Sequence, residues 1–179
     1  MLNRTIYSFV VDTKYRFTYE GWQLAQSLIK NCGGDPTAVH VQCTPEVAEE
    51  QRAVFHRLGC TVHELVRFAD GRHCNKLNQL ENLREVVFDR VVLLDADTLA
   101  IGDIRPFLRD DVIMAKPVDA SRPPIAVLDE IAAAAGLKKT FEVCPTDWGK
   151  DGTYLGNSNG GFYSIPKEFC PVLDRKSVV

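Results

Sequence analysis

The sequence predicts an α/β protein with a mostly parallel central sheet and helices on both faces of it. Strand-like apolar segments alternate with segments of helical periodicity over the first half of the chain. Strands that alternate with helices of this length form parallel βαβ crossovers. Residues 91–94 (VVLL) are apolar at every position, which is typical of a central strand that helices cover on both sides.

The first predicted unit is a strand at residues 6–11 (IYSFVV), rich in β-branched and aromatic residues, followed by a helix. Apolar residues recur there at helical spacing: Trp22, Leu24, Ala25, Leu28 and Ile29. Gly33 and Gly34 come next, and glycine after the last periodic residue is a helix stop signal. The chain therefore opens with a strand, a loop and a helix.

The same pattern repeats further along the chain. Residues 38–43 alternate like a second strand, Thr44 is predicted to cap a helix with Pro45 at its first position, and Leu58-Gly59 to end it. The later predicted elements are a third strand at 60–66, a helix at 75–86 with Leu77, Leu80 and Leu83 on one side, a fourth strand at 90–95, a strand at 111–120, a helix at 123–137, a long loop at 144–161 and a final strand at 161–165.

The composition is that of an ordinary soluble globular protein, with 45% hydrophobic and 25% charged residues among 179. A formal net charge of -3 argues against a nucleic-acid partner, because nucleic-acid binders usually carry a basic excess. The apolar runs are too short for a transmembrane segment and the N-terminus lacks a cleavable signal pattern, so we expect a cytoplasmic protein. The cysteines form no CxxC pair and are expected to be free thiols.

Two carboxylates, Asp95 and Asp97, follow the buried fourth strand directly. In an open α/β sheet, ligands sit beyond the carboxyl ends of the strands, and alternation would aim both side chains to one side. Such a pair repels unless a cation relieves it, and Mn²⁺ or Mg²⁺ bound also by phosphate oxygens would do so. The alternative is that Asp95 caps the turn and that Asp97 or Thr98 is merely solvated.

The segment VVLLDADTLAIGDIRPF at residues 91–107 resembles the DxD segment of GT-A glycosyltransferases, most closely the family-eight group that includes glycogenin and bacterial lipopolysaccharide galactosyltransferases. Order and spacing agree along nearly the whole chain, and the DxD and NGG segments together are fairly specific. The supporting segments are FVVDTKY at 9–15, LAQSLIKN at 24–31, NKLNQLENL at 75–83 and NSNGGFYSIP at 157–166. The resemblance implies a Rossmann-like GT-A nucleotide-diphospho-sugar transferase fold.

The resemblance also implies a nucleotide-sugar site. Three residues at the end of the first strand would hold the nucleoside: Val11, Asp12 and Tyr15. Asp12 would lie near the base and Tyr15 would stack on it, while Lys76 would approach the donor. Asp95 and Asp97 would bind the metal and the diphosphate, with Asp95 also near the ribose and sugar. The remaining implied positions are Ala96 inside the DxD motif and, in the sugar and acceptor pocket, Asn159, Gly160 and Gly161.

Each of these assignments has a structural alternative. Asp12 could cap a turn and Tyr15 could belong to the core. Lys76 could be a solvated helix lysine, and the two glycines could form a tight turn that needs positive φ. Only the three-dimensional structure can distinguish between these alternatives.

The implied activity is metal-dependent transfer of a sugar, with retention, from a nucleoside-diphosphate sugar, expected to be a UDP-sugar, to a hydroxyl of an unidentified glycan, lipid or protein. The family pattern continues past the NGG segment to a histidine that is the third metal ligand, whereas every histidine here precedes Asp95. We therefore expect one GT-A-like domain at residues 1–179, truncated at its C-terminus relative to the family.

Two alternatives to this activity stay open. One is a non-catalytic nucleotide-sugar-binding or scaffold domain that lacks the family's C-terminal part. The other is a sugar nucleotidylyltransferase, which needs a glycine-rich phosphate loop after the first strand, and no glycine precedes Gly21. Hydrolysis of a UDP-sugar would separate the enzyme from the scaffold.

Overall fold

A computed structural model describes residues 4–68, 73–138, 141–148 and 151–173. The chain forms two compact units, one made of Met1–Met114 with Gly161–Val179 and the other of Ala115–Gly160. The strands are β1 (Thr5–Val11), β2 (Val39–Cys43), β3 (Thr61–Glu64), β4 (Arg90–Leu94), β5 (Met114–Pro117), β6 (Val143–Pro145), β7 (Gly152–Tyr154) and β8 (Ser158–Pro166). The helices are α1 (Tyr15–Asn31), α2 (Glu49–Arg57), α3 (Gln79–Asn82), α4 (Ile125–Ala134) and α5 (Cys170–Leu173), with 3₁₀ turns between them.

The central sheet has the strand order β3-β2-β1-β4-β8-β5 in the described part of the chain. β1 pairs in parallel with both β2 and β4, and β2 pairs in parallel with β3. β8 runs antiparallel to β4, with Leu94 opposite Phe162. The predicted mostly parallel sheet is confirmed, and the carboxyl ends of β1 and β4 lie side by side because Phe9 pairs with Leu94.

Apolar layers cover the sheet on both faces, as expected for a central parallel sheet. On one face Phe9 and Val11 pack with Leu24 of α1 and Phe55 of α2. On the other face Ile6 and Val91 pack with Leu80 and Leu83 in the α3 region. Burial of each such side chain stabilises the fold by about 1.5–3 kcal/mol.

Several predicted boundaries hold. β1, β2, β3 and β4 fall within or close to the predicted strands, and α1 ends just before Gly33 and Gly34, both of which have positive φ. The α4 helix is also confirmed, and Gly136 terminates it with a φ of 69°. Glycine adopts this backbone conformation without the steric cost that a side chain brings.

The predicted start of the second helix is wrong. α2 begins at Glu49, with Ala48 as its N-cap. Thr44 instead lies directly after β2 and bonds the end of β1, because its N–H donates to Val11 O at 3.1 Å and its hydroxyl donates to Asp12 Oδ1 at 3.0 Å. The hydroxyl that would have capped the helix is used at the edge of the sheet.

The predicted helix at residues 75–86 is confirmed only over Gln79–Asn82. His73–Asn78 is a 3₁₀ helix, and α3 adds only one regular turn after it. Asn75 Oδ1 accepts from Phe68 N at 3.0 Å and Asn78 Nδ2 donates to Val66 O at 2.6 Å. Asparagine side chains that bond neighbouring main chain compete with a regular helix. The side chain of Leu77, predicted on the apolar side, lies outside the described residues.

The second unit contains more strand than the sequence predicted. β6 and β7 pair antiparallel within the segment predicted as a long loop, and β8 begins at Ser158 and not at Gly161. The described cysteines are free thiols: Cys32, Cys43, Cys60, Cys144 and Cys170. The side chain of Cys74 lies outside the described part. Within the described ranges, every helix is too short or too polar to cross a bilayer.

Candidate functional site

The DxD motif forms a turn directly after β4, and its main chain is held from two directions. Asp95 N–H donates to Gly161 O at 3.1 Å. Thr98 closes the turn, because its N–H and its hydroxyl donate to Asp95 O at 3.1 and 2.7 Å. These bonds use the main chain of Asp95, so its carboxylate stays available for other contacts.

Lys76 lies against this turn. Its ammonium forms an ion pair with Asp95 Oδ1, and the two side chains are 32% and 33% exposed. Burial lowers the pKa of Lys76, and the negative charge of Asp97 acts in the opposite direction. Asp97 is exposed and also lies within electrostatic range of Arg16 in the first turn of α1. Lys76 is therefore partly buried and faces both carboxylates of the motif. It is not the solvated helix lysine that the sequence left open as an alternative.

The predicted nucleoside residues lie at the carboxyl end of β1. Val11 is fully buried and offers only its main chain, whose carbonyl accepts from Thr44 N–H. Asp12 Oδ1 accepts from Thr13 N–H at 2.7 Å and from the Thr44 hydroxyl at 3.0 Å. Arg67 Nη2 lies 3.5 Å from the same oxygen. Asp12 thus caps a turn, which is the alternative role that the sequence allowed, and it also forms an ion pair.

Arg67 is a residue of this edge that the sequence analysis missed. It donates to both carboxylate oxygens of Glu46, at 3.1 and 2.8 Å, and these bonds lower the pKa of Glu46. Arg67 follows β3, as Thr44 follows β2. The rule that drew attention to Asp95, a polar residue just beyond the carboxyl end of a strand, would have found both.

Tyr15 begins α1 and is 69% exposed, so it is not a core residue. Its hydroxyl donates to Glu50 Oε1 at 3.3 Å. An exposed ring near a strand end can stack on a planar base. Ala96, between the two aspartates, packs against the apolar cluster on the α1 face.

The NGG segment lies inside β8, so Gly160 and Gly161 belong to a strand and not to a tight turn. Gly161 is part of the first unit and contacts Asp95 through its carbonyl. Asn159 and Gly160 belong to the second unit, where Asn159 Nδ2 donates to Asp119 Oδ2 at 2.9 Å. The other carboxylate oxygen of Asp119 pairs with Lys116.

The donor set at the DxD turn suits a hard divalent cation. Two carboxylates offer oxygen ligands, and Mg²⁺ or Mn²⁺ commonly completes such a set with water and substrate phosphate. In the described part of the chain, no cluster of three or more His, Cys, Asp or Glu side chains is placed to bind a metal ion. Any ion at Asp95 and Asp97 would therefore draw further ligands from phosphate or water.

A cavity of about 190 Å³ adjoins the motif on the α1 face of the first unit. Its lining comes from α1, the end of β4, the segment after the motif and β8: Leu24, Leu28, Leu94, Thr98, Leu99, Ala100, Ile104, Gly161 and Phe162. None of these side chains is charged, and a diphosphate needs charged or hydrogen-bonding partners. The cavity does not suit the diphosphate.

No protein-family profile matches the sequence, and no curated protein matches it. Solved structures do match. The galactosyltransferase LgtC, in complex with donor and acceptor sugar analogues, is 18% identical, with a TM-score of 0.57 over 94% of this chain and 58% of that chain. Mouse xyloside xylosyltransferase 1, in its apo form, is 14% identical, with a TM-score of 0.53 over 96% of this chain and 71% of that one.

A third match is the mannosyltransferase PcManGT from Pyrobaculum calidifontis, in complex with GDP-Man and Mn²⁺. It is 14% identical, with a TM-score of 0.52 over 95% of this chain and 46% of that chain. The chain thus spans only about half of PcManGT and of LgtC. Its fold is the Rossmann-like GT-A fold of these glycosyltransferases.

Proposed function

We propose that this chain binds a nucleoside-diphosphate sugar, with UDP as the nucleotide, and transfers the sugar to an acceptor hydroxyl with retention, as a glycosyltransferase of family eight. The observation that carries the proposal is the pair Asp95 and Asp97 beside Lys76, at the carboxyl end of β4 in a GT-A fold. Ligands of open α/β sheets bind at this edge.

The residues of the site have different proposed roles, which follow from their charge. Asp95 and Asp97 would hold a divalent cation, Mn²⁺ or Mg²⁺, which supplies Lewis-acid stabilisation of the charge on the departing diphosphate. Lys76 adds a second positive centre at the same place, provided that its ammonium exchanges part of its contact with Asp95 for a phosphate oxygen. Asp12, just after β1, and Tyr15, at the start of α1, would hold the base and ribose, and Asn159, Gly160 and Gly161 would line the sugar and acceptor pocket.

Three findings support the donor class. LgtC was solved with donor and acceptor sugar analogues, PcManGT with GDP-Man and Mn²⁺, and all the neighbours named here are glycosyltransferases. UDP, retention and membership of family eight come from the resemblance of the DxD and NGG segments. The acceptor is a glycan, lipid or protein hydroxyl.

A second candidate is a nucleotide-sugar-binding domain without turnover. It is favoured by one observation, that no third metal-binding side chain joins Asp95 and Asp97 among the described residues. Incubation with UDP-glucose or UDP-galactose and Mn²⁺ separates the two, since release of free sugar and UDP supports the enzyme. Binding of UDP without any release of sugar supports the binding domain.

The metal role of the motif is tested by Asp97→Asn. We expect Mn²⁺-dependent binding of UDP, measured by calorimetric titration, to be abolished, because one of the two anionic ligands is lost. Asp97 is exposed, so the free energy of unfolding should change by less than about 0.5 kcal/mol. Asp111→Asn, the same change at another exposed aspartate, is the control and should bind as the wild type does. Equal affinities of wild type and Asp97→Asn contradict the proposal.

A further inference from the structure

The segment that carries Lys76 is attached to the sheet by buried polar side chains. Ser8 on β1, Gln42 on β2 and Gln79 at the start of α3 are each 0% exposed. They lie on the sheet face opposite α1. Ser8 is on the same side of β1 as Ile6, and Gln79 directly precedes Leu80; Ile6 and Leu80 both belong to the apolar cluster on that face. Three fully buried polar side chains on one face require an explanation, because a core position usually takes an apolar residue.

These side chains form one continuous chain of hydrogen bonds. Asn82 Nδ2 donates to Gln42 Oε1 at 2.8 Å, and Gln42 Nε2 donates to Ser8 Oγ at 3.3 Å. Ser8 Oγ then donates to Gln79 Oε1 at 2.8 Å, and Gln79 Nε2 donates to the main-chain carbonyl of Lys76 at 3.3 Å. The chain starts at β3 as well, because Asn82 Nδ2 also donates to Glu64 O at 2.9 Å.

The direction of the bonds at Gln79 is set by its partners. The carbonyl of Lys76 can only accept, so the Gln79 amide must turn its NH₂ group toward it. Its oxygen then faces Ser8, whose hydroxyl donates to it and accepts from Gln42. Every group in this chain meets a partner of the opposite kind, and a fully satisfied polar network of this type specifies one geometry.

Stability alone does not account for this arrangement. Buried amides cost free energy unless their hydrogen bonds are made, and apolar residues of similar volume at such positions are often neutral or stabilising. The main effect of a hydrogen-bond network that ends on the main chain of Lys76 is therefore to fix the conformation of that segment. It fixes the backbone from which Lys76 reaches Asp95, across a 3₁₀ segment with little regular helix structure of its own.

We propose that Gln79 is a positioning residue, which sets the Lys76 ammonium against Asp95 and Asp97 at the diphosphate end of the site. This inference rests on the proposed function, in which Lys76 faces the departing diphosphate. Gln79 acts through the carbonyl of Lys76 and contacts no substrate. Its removal should therefore change what Lys76 does while leaving Asp95 and Asp97 in place.

The first experiment needs no ligand. The coupling between Lys76 and Asp95 is measured by urea unfolding of Lys76→Met, Asp95→Ala and the double variant, first in the wild type and then in a Gln79→Met background. We expect the coupling to fall to less than about half in that background. Methionine keeps the length and bulk of glutamine and removes both hydrogen bonds. An unchanged coupling overturns the inference, whatever the chain binds.

The second experiment uses UDP with Mn²⁺ as the probe. Loss of a charge-assisted contact in Lys76→Met should weaken UDP binding about tenfold or more. Gln79→Met should weaken it about threefold to tenfold, and the variant with both changes should bind no more weakly than Lys76→Met alone. A Gln79→Met effect that is the same with and without Lys76 overturns the inference, because the residue then acts by another route.

Two further variants protect these measurements. Ser8→Ala removes the hydroxyl that holds Gln79 and leaves the Lys76 segment untouched, so it should act in the same direction and more weakly even if Gln79→Met fails to fold. Gln42→Met removes a glutamine of equal burial that lies one hydrogen bond further from Lys76 than Ser8 does, between Asn82 and Ser8. It should lower the coupling and the UDP affinity in the same direction as Ser8→Ala and more weakly. If the ligand-free coupling falls but the wild type binds no UDP, the proposed function fails and the positioning of the ion pair stands.

Discussion

At the scale of single residues, the site is a set of polar side chains that follow strands. Asp12 follows β1, Thr44 follows β2 and Asp95 follows β4. Each is at the carboxyl edge of the sheet, where the side chains of adjacent parallel strands can meet. Lys76 and Arg67 bring positive charge to the same edge, one to Asp95 and the other to Asp12. Acidic and basic side chains that lie side by side in this way suit a ligand with both anionic and hydrogen-bonding groups.

Tyr15→Ala tests the proposed base contact at this scale. The ring is 69% exposed, so its removal should leave the free energy of unfolding within about 0.5 kcal/mol of the wild type. Loss of a base stack, worth about 1–3 kcal/mol, should weaken UDP binding by about tenfold. Tyr19→Ala, four residues further along α1 with a ring 60% exposed, is the matched control and should bind UDP normally. Equal losses in both variants would remove Tyr15 from the site.

At the scale of elements, α1 carries the proposed base-stacking residue Tyr15 at its start. The helix begins at Tyr15, and its C-terminal part forms hydrogen bonds with the segment that follows the DxD motif. Asn31 Nδ2 donates to Ala100 O at 2.6 Å, and Ala100 N–H donates to Ser27 Oγ at 3.0 Å. One helix therefore both presents Tyr15 and holds the loop that follows the DxD motif.

The close approach of α1 to β1 depends on Gly21. A Cβ atom there would lie 2.9 Å from Phe9 Cε2, 3.1 Å from Val11 Cγ2 and 3.4 Å from Phe55 Cζ. Gly21→Val should therefore destabilise the protein by about 1–3 kcal/mol, since the packed side chains have to shift. Gln26→Val, on the exposed side of the same helix, introduces the same side chain without a core contact, and the lower helix propensity of valine should cost less than about 0.7 kcal/mol. Urea unfolding of both variants measures the difference, and similar values would show that α1 does not pack as described.

At the scale of the whole molecule, the pH range of stability is set partly by two histidines on adjacent strands, His40, which is buried, and His63, which is half-buried. His40 Nδ1 and His63 Nε2 are 2.9 Å apart on β2 and β3. Burial, the neighbouring His63 and the charge of Arg4 lower the pKa of His40 to about 4. Burial also lowers the pKa of His63. Both rings are therefore neutral in the folded protein near pH 7.

This pair predicts acid destabilisation. Because the folded pKa of His40 lies below the unfolded value, its contribution is full above the unfolded pKa of 6.5 and is lost as the pH falls from there toward about 4. Between pH 7 and pH 5, His40 alone should cost about 2 kcal/mol of the free energy of unfolding. Urea unfolding of His40→Leu should show a pH dependence that is smaller by this amount, whereas His56→Gln, at an exposed histidine, should follow the wild type. An unaltered pH dependence in His40→Leu would contradict the described pair.

The sequence by itself determined the alternation of strands and helices, the buried β4 strand and the two aspartates at its end. These features follow from hydrophobic periodicity and from backbone preferences, which are local and can be read over a few residues. It did not predict the 3₁₀ segment at His73–Asn78 or the β6–β7 hairpin, because side-chain bonds to distant main chain and strand pairing overrode the local pattern.

Only the tertiary structure decided which charges meet. The ion pair of Lys76 with Asp95, the contact of Arg67 with Asp12 and the hydrogen bond of Gln79 with Ser8 join segments that are far apart in the chain. No local pattern encodes such pairs, since they arise where parallel strands from different parts of the chain end at one edge. Electrostatic and hydrogen-bond energies depend on distance in space, and the sheet sets those distances.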